Sequence, residues 1–228
     1  MECEIARQRL NAMAKRAVPA TAADEEIRVL LEHYRCPVPF HEVRARFLGN
    51  IATPAVGVSP IKMVERLWSS ELPEFNSIDA ANELIGALIM GLWNRLTRHQ
   101  ERGAPFRLVR PDVMATREGL ATLAMIRCQE LDGFVEGLFG DEETIGLPER
   151  AHRGLETLSE MRALMAAVVQ MARDETKAAT DQDLQTSLRN VREMTKIAQD
   201  EIHAIVLSCA RARRQMLAVL PATKPTLH

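Results

Sequence analysis

Two carboxylate–histidine pairs are the residues of this chain best spaced for chemistry: Glu149 with His152, and Asp200 with His203. Residues three apart on a helix lie on one face, so each pair could bind one metal ion. Di-iron carboxylate bundles use two such pairs, together with one glutamate from each of two further helices. A metalloenzyme is therefore one alternative function.

Glu83 and Glu130 lie in predicted helices and could complete that set. A plainer interpretation stands beside it, because Glu149 follows Pro148 at a predicted helix start, where an acid complements the helix dipole. His152 lies between two arginines, which is typical of a solvent-facing surface. We therefore predict no metal-binding residues.

Two shorter metal patterns are incomplete. An EF-hand counted from Asp132 places Phe134 at its third position, which must supply an oxygen ligand. His33, Cys36 and His41 offer three zinc ligands, whereas a structural zinc site has four. Neither pattern predicts a bound ion.

The cysteines do not indicate a catalytic thiol. Cys128 and Cys209 fall on apolar faces of predicted helices, and buried thiols are inert. The sequence also lacks a serine elbow and a glycine-rich phosphate loop. We predict no catalytic residues, no cofactor and no identifiable small-molecule substrate, and we favour a non-catalytic protein.

Arg211, Arg213 and Arg214 form a basic cluster late in the chain, which leaves a nucleic-acid-binding regulator as a second alternative. The overall charge of −2 and the 4% of aromatic residues do not favour that function. Cations also complement the C-terminal end of a helix. Nucleic acid is therefore an unfavoured partner.

The elements that must position these residues are predicted to be helices. Helix formers and apolar residues at helical spacing dominate, so we predict an all-α fold. The longest apolar run, 84–93, falls short of the roughly 20 residues of a membrane-spanning helix, so no membrane partner is expected. The start resembles no export signal, and the four scattered cysteines fit reduced thiols, which predicts the cytoplasm.

The loop-like stretch GNIATPAVGV suggests a domain boundary at residue 58. We predict a helical extension over 1–58, an orthogonal or antiparallel bundle of about five helices over 59–220, and a flexible tail over 221–228. One long helix is expected near 77–102, and another from Pro111 to about 139.

Gly133 and Gly137 interrupt that second helix, at about 1 kcal/mol each relative to alanine. They are four residues apart and share a face, so we predict that they let the helices 78–102 and 112–139 pack closely. Gly86, in the first of these helices, fits the same role or a kink.

Four segments resemble motifs of the YgfB/YecA-like group of bacterial proteins, and they follow the same order as in that family. They are DAANELIGALIMG (79–91), RGAPFRLVRPD (102–112), QELDGFVEGLFG (129–140) and KPTLH (224–228). One departure is that the family's tryptophan corresponds to Gln129 or Glu130 here. The resemblance extends over about 77–228.

The resemblance implies a compact all-helical bundle with no assigned reaction. The cysteine-rich zinc module of YecA-like members has no counterpart after Cys209. We therefore predict an interaction or regulatory protein that binds another protein, or itself, through its helices. Residues 1–50 are the expected association element, and the faces of Met161, Met165 and Met171 fit either core or an adaptable binding surface.

Overall fold

The computed structural model describes residues 20–55 and 59–219. Seven helices contain most of these residues. The helices are α1 (Ala20–His33), α2 (Phe40–Ala52), α3 (Pro60–Arg66), α4 (Ile78–Gly86), α5 (Arg117–Phe139), α6 (Glu149–Arg173) and α7 (Asp181–Val219). These two ranges contain no strand, so the predicted all-α fold is confirmed for them. The first nineteen residues of the predicted helical extension and the predicted tail 221–228 lie outside them.

Helix α4 and the three segments that follow it form one continuous helical rod over 78–100, and the type of helix changes three times along it. The rod passes through a π segment (Ala87–Trp93) and a short α segment (Asn94–Leu96) and ends in a 3-10 turn (Thr97–Gln100). Four-residue steps drift by about 40° around a regular α-helix, and the wider π turns reduce this drift. The leucines at 84, 88, 92 and 96 are consequently all buried. The single long helix predicted at 77–102 is right in extent and wrong in winding.

One hydrophobic core includes residues from both sides of the predicted boundary at 58. Its members include Ile27, Phe47, Met63, Leu88, Phe134 and Ile202. Helix α2 buries nine of its 13 residues, so it is part of the bundle. Helices α1 and α2 therefore pack in the same core as the helices that follow residue 58, and the predicted division at that residue stays a prediction.

A second, smaller cluster lies between α5, α6 and α7. It contains Leu120, Leu123, Met165, Leu188 and Val191, all at most 5% exposed. Helix α7 contributes to both clusters, and each of the last three helices packs against the next. These three helices form the hairpin-connected half of the bundle.

The chain between the rod and α5 is irregular, and part of it is buried. Phe106 is 1% exposed and Leu108 is 6% exposed, so alternate residues of the segment FRLV are buried although the segment is neither helix nor strand. Helix α5 begins at Arg117, later than predicted, because the Thr116 hydroxyl accepts a hydrogen bond from the Gly119 N–H at 3.0 Å and caps the helix there. Among the described helices, none has both the length and the apolar character needed to cross a membrane.

Candidate functional site

Helices α2 and α5 cross at glycines that leave no room for side chains. A Cβ atom added to Gly137 would overlap the backbone oxygen of Arg46 and lie 2.9 Å from its Cα atom. A Cβ atom on Gly49 would overlap the backbone oxygen of Phe134. Each helix therefore presents a bare position to the backbone of the other. We call this contact the glycine crossing.

Gly133 extends the glycine crossing by one turn. A Cβ atom there would lie 2.8 Å from Cγ and 3.1 Å from the backbone oxygen of Glu42. The predicted close packing at Gly133 and Gly137 is confirmed, but the predicted partner, the helix at 78–102, is wrong. Helix α2 is the partner because its own Gly49 makes the contact reciprocal.

The glycines of the rod have a different role. A Cβ atom at Gly86 would meet no atom within 4 Å, and one at Gly91 would meet only the Gly86 oxygen, at 4.0 Å. Close packing at these positions is therefore ruled out. Gly86 instead lies at the junction between the α and π windings.

Charged side chains close over the glycine crossing. The Arg46 guanidinium contacts the Glu42 carboxylate at 2.6 Å and the Glu136 carboxylate at 2.5 Å, so it joins α2 to α5. The Nε2 atom of His41 lies 2.8 Å from Oε1 of Gln129, and burial lowers the pKa of this histidine. The polar contacts surround the crossing and leave its centre to backbone alone.

A buried polar seam ties the irregular segment to α5 and α7. It consists of Arg127, Glu130 and Gln199 with the backbone of Leu108 and Val109. The Glu130 carboxylate accepts the Val109 N–H at 2.8 Å, and Arg127 donates to the Val109 carbonyl and to Glu130. The Gln199 amide oxygen accepts the Leu108 N–H at 3.1 Å. The seam satisfies backbone groups that have no helical or sheet partner.

Burial dominates the acid–base behaviour of the polar seam. It raises the pKa of Glu130 to about 7, although the neighbouring Arg127 charge acts in the opposite direction. Burial also lowers the pKa of Arg127. The seam thus contains a carboxyl group that titrates near neutrality, and Glu130, predicted as a possible metal ligand, is engaged in structure.

The seam residues Arg127 and Gln199 were missed from sequence, although one signal pointed to Arg127. The buried positions of α5 advance from Leu120 through Ala124, Arg127 and Leu131 in steps of three and four. A charged residue on an apolar stripe must find a buried partner. Gln199 lies beside a comparable stripe of α7, without so clear a signal.

The first carboxylate–histidine pair, which only the alternative metalloenzyme function requires, lies on the surface. Glu149 forms an exposed ion pair with Arg153 at 3.6 Å, and the neighbouring His152 is exposed. Glu83, proposed to complete the set, is exposed on α4. The structure therefore does not bring these groups to the buried Glu130.

The two residues of the second pair, on α7, also do not form a shared site. Asp200 is exposed, while Nε2 of His203 lies 3.3 Å from the backbone oxygen of Arg102. Within 20–55 and 59–219, no three histidine, cysteine, aspartate or glutamate side chains lie close enough together to hold a metal ion.

The residues of the incomplete zinc and EF-hand patterns do not come together. The Cys36 thiol lies 3.8 Å from the Leu67 carbonyl, and His33 is exposed. Asp132, the first residue of the rejected EF-hand pattern, pairs with Arg162 at 3.0 Å. Neither pattern forms a shared site.

Three cysteines lie in the described ranges, and all are free thiols. Cys209 is buried, and burial raises its pKa to about 11. Burial also raises the pKa of Cys36 and of Cys128. A raised pKa keeps a thiol protonated and weakly nucleophilic.

The three arginines of the basic cluster differ in their contacts. The Arg213 guanidinium donates to the Ile51 carbonyl at 3.0 Å and the Thr53 carbonyl at 3.2 Å, so it caps the C-terminal end of α2. Arg211 and Arg214 are exposed. The helix whose end Arg213 complements is therefore α2, not the helix on which it lies.

An apolar groove of about 480 Å³ runs between α5 and α6. Its apolar lining consists of Leu131, Val135, Phe139, Leu155 and Leu158, with Asp132, Glu136 and Arg162 among its polar residues. We call it the α5–α6 groove.

The glycine crossing, the polar seam and the α5–α6 groove define the class of protein, an all-α bundle in which α5 is the central element. No family model matches the chain, and no curated protein or solved structure matches it. The likeness to the YgfB/YecA-like group therefore stays a prediction.

Proposed function

We propose that the protein is a non-catalytic helical module that associates with a second copy of itself. In this proposal, residues 1–19 of one copy occupy the α5–α6 groove of the other. The observation that supports it is the groove, because its mostly apolar lining lies open between two helices. Amphipathic helices bind apolar grooves of this kind through side chains spaced by three and four residues.

The sequence of residues 1–19 fits this groove. Apolar residues recur in steps of four, three and four at Ala6, Leu10, Met13 and Ala17, which predicts an amphipathic helix. The segment contains four basic and two acidic side chains, whereas the two acids of the groove, Asp132 and Glu136, already pair with Arg162 and Arg46. The apolar pattern of the segment is therefore what complements the groove.

In this proposal the association element is shorter than the expected residues 1–50. Helices α1 and α2 belong to the core, so residues 20–52 are unavailable for exchange between copies. Of the element expected over 1–50, residues 1–19 remain. They are the segment to remove in a test.

Light scattering of the full chain and of a variant lacking residues 1–19 tests the proposal. We expect about twice the 25.5 kDa chain mass for the full chain and a monomer for the variant. Circular dichroism of both checks that the bundle is intact. Equal oligomeric states for the two proteins would contradict the proposal.

A labelled peptide of residues 1–19 tests the groove itself. We expect it to bind the shortened protein and to lose that binding in Val135→Glu, which places a charge among the apolar groove residues. Ile78→Glu is the matched control, because Ile78 is 80% exposed on α4, outside the groove. Equal affinity for both variants would rule out the groove as the docking surface.

We further propose kinship with the YgfB/YecA-like group and a cytoplasmic location. The order of the four motifs supports the kinship, and three of them fall on α4 with its rod, on the segment of the polar seam and on α5. The three free thiols are consistent with a reducing compartment. An experimental structure of a family member that superposes on residues 78–139 would support the kinship.

A further inference from the structure

A cavity of about 160 Å³ lies where the C-terminal ends of α2 and α5 meet α3. Part of its wall is apolar and consists of Met63, Leu138 and Phe139. Drug-sized ligand sites enclose roughly 300–1,000 Å³, so this cavity fits a ligand of fewer atoms. It is separate from the α5–α6 groove except for Phe139, which borders both.

Asn50 lines this cavity with a buried and unpaired acceptor. The residue is 6% exposed, and its Oδ1 atom has no hydrogen-bond partner among the described residues. Leaving a buried polar atom unpaired costs about 1–3 kcal/mol. A ligand with an N–H or O–H group directed at Oδ1 would remove this cost.

Charged side chains line the other side of the same cavity, with two cations, Lys62 and Arg66, and two carboxylates, Asp141 and Glu142. The Arg66 side chain is 13% exposed and pairs with Asp141, whose side chain is 76% exposed. Lys62 is exposed and forms no ion pair with a described residue. A ligand carboxylate can replace the exposed partner Asp141 at Arg66, and Lys62 supplies a second positive charge.

A polar cleft of about 580 Å³ adjoins the cavity, and Arg66, Gly140 and Asp141 border both spaces. The Arg66–Asp141 pair therefore stands between the cleft and the cavity. An anion that enters through the cleft meets Arg66 before it reaches Asn50.

We propose that this cavity binds a small carboxylic acid that carries an N–H or O–H donor and a short apolar chain. The carboxylate binds at Arg66 and Lys62, the donor binds at Oδ1 of Asn50, and the chain packs on the apolar wall. Both α-amino acids and α-hydroxy acids have this chemistry. The proposal is independent of residues 1–19 and of the α5–α6 groove.

Calorimetric titration of the full chain with four compounds of matched skeleton tests it. The compounds are L-leucine, L-2-hydroxy-4-methylpentanoate, 4-methylpentanoate without the donor, and 3-methylbutylamine without the carboxylate. We expect leucine or the hydroxy acid to bind, and the two lacking a group to bind at least roughly tenfold more weakly. Failure of all four, or equal binding of 4-methylpentanoate and the better donor acid, would overturn the proposal.

Lys62→Ala and Asn50→Leu locate the binding. Lys62 is exposed, so its variant should keep the fold and lose affinity by roughly tenfold. Lys196→Ala, on the exposed face of α7, is the matched control and should bind as the unaltered chain does. Asn50→Leu should abolish the preference for the donor acids; if it does not fold, Lys62→Ala decides alone. An unchanged affinity in Lys62→Ala would refute the site.

Discussion

Helix α5 is held on two sides by contacts of opposite kinds. At the glycine crossing it meets α2 through backbone, with no side chain between Gly137 and the Arg46 oxygen. At the polar seam, Arg127 and Glu130 reach out to Val109 and bury two charged groups. The glycine crossing depends on the absence of side-chain atoms, whereas the polar seam depends on polar side chains that are present and paired.

The comparison shows that the two contacts should fail differently. The glycine crossing fails when an atom is added, because close-packed backbones cannot yield without moving a helix. The polar seam fails when an atom is removed, because the partner left behind stays buried and uncompensated. The size of each effect follows from how completely the neighbours can adjust.

The largest effect is expected for Arg127→Met, which breaks the polar seam. It leaves the fully buried Glu130 without its cation, and removing one partner of a buried pair costs about 3–5 kcal/mol. Urea unfolding followed by circular dichroism measures the loss.

A double variant, Arg127→Met with Glu130→Leu, sharpens this result. It removes both charges, so we expect it to be less destabilised than the sum of its single variants, with an interaction energy of about 1–3 kcal/mol. Strict additivity would mean that the two side chains do not act as a pair.

Gly137→Ala is expected to destabilise the fold by about 3 kcal/mol, because the new Cβ atom would overlap backbone that cannot move aside. The same urea titration measures it. A loss below about 1 kcal/mol would show that α2 and α5 can separate without penalty, and the glycine crossing would then not be a rigid contact.

The polar seam should make stability depend on pH, whereas the glycine crossing should not. The pKa of Glu130 is raised from 4.5 to about 7 in the folded state, so the folded chain keeps a proton that the unfolded chain releases. The contribution of Glu130 to the free energy of unfolding therefore falls as pH rises from about 4.5 to 7, by at most about 1.4 kcal/mol per pH unit.

Urea midpoints between pH 4.5 and 8, compared between the unaltered chain and Glu130→Gln, isolate this contribution. The comparison is needed because burial lowers the pKa of His41 and of His99, whose contributions are instead lost as pH falls below 6.5. Parallel pH profiles for the two proteins would contradict the titration of Glu130.

The smallest effect, and one of opposite sign, is expected for Gly86→Ala. Its Cβ atom would meet nothing within 4 Å, and Gly86 already has helical angles, with φ −61°. We expect a gain of about 0.5–1 kcal/mol, measured as a higher urea midpoint. If Gly86→Ala instead destabilised the protein, the junction between the α and π segments would require glycine at this position.

The sequence could indicate only the α5 side of the glycine crossing. Spacing alone shows that Gly133 and Gly137 share a face, but the partner depends on Gly49, which reads as the start of a loop because Pro54 and Gly57 follow it. A glycine marks a loop or a close contact equally well until a neighbouring helix is known. Sequence periodicity contains no information about which helix that is.

The polar seam lay further beyond prediction. Glu130 was visible as a carboxylate in an apolar helix, yet its partner Val109 is a backbone group in an irregular segment, 21 residues away. Residue types do not show which backbone group a buried side chain will bind. The π winding of the rod escaped prediction for a related reason, since leucines at four-residue steps also occur in ordinary helices.

Helix α7 reaches both hydrophobic clusters, from Leu188 to Cys209. A chain emerging from a ribosome can assemble α2 against α5 early, but it lacks the final wall of either cluster until residues 188–209 are made. Newly synthesised molecules would thus carry exposed apolar surface until α7 has been made, the state in which chaperones recognise a growing chain.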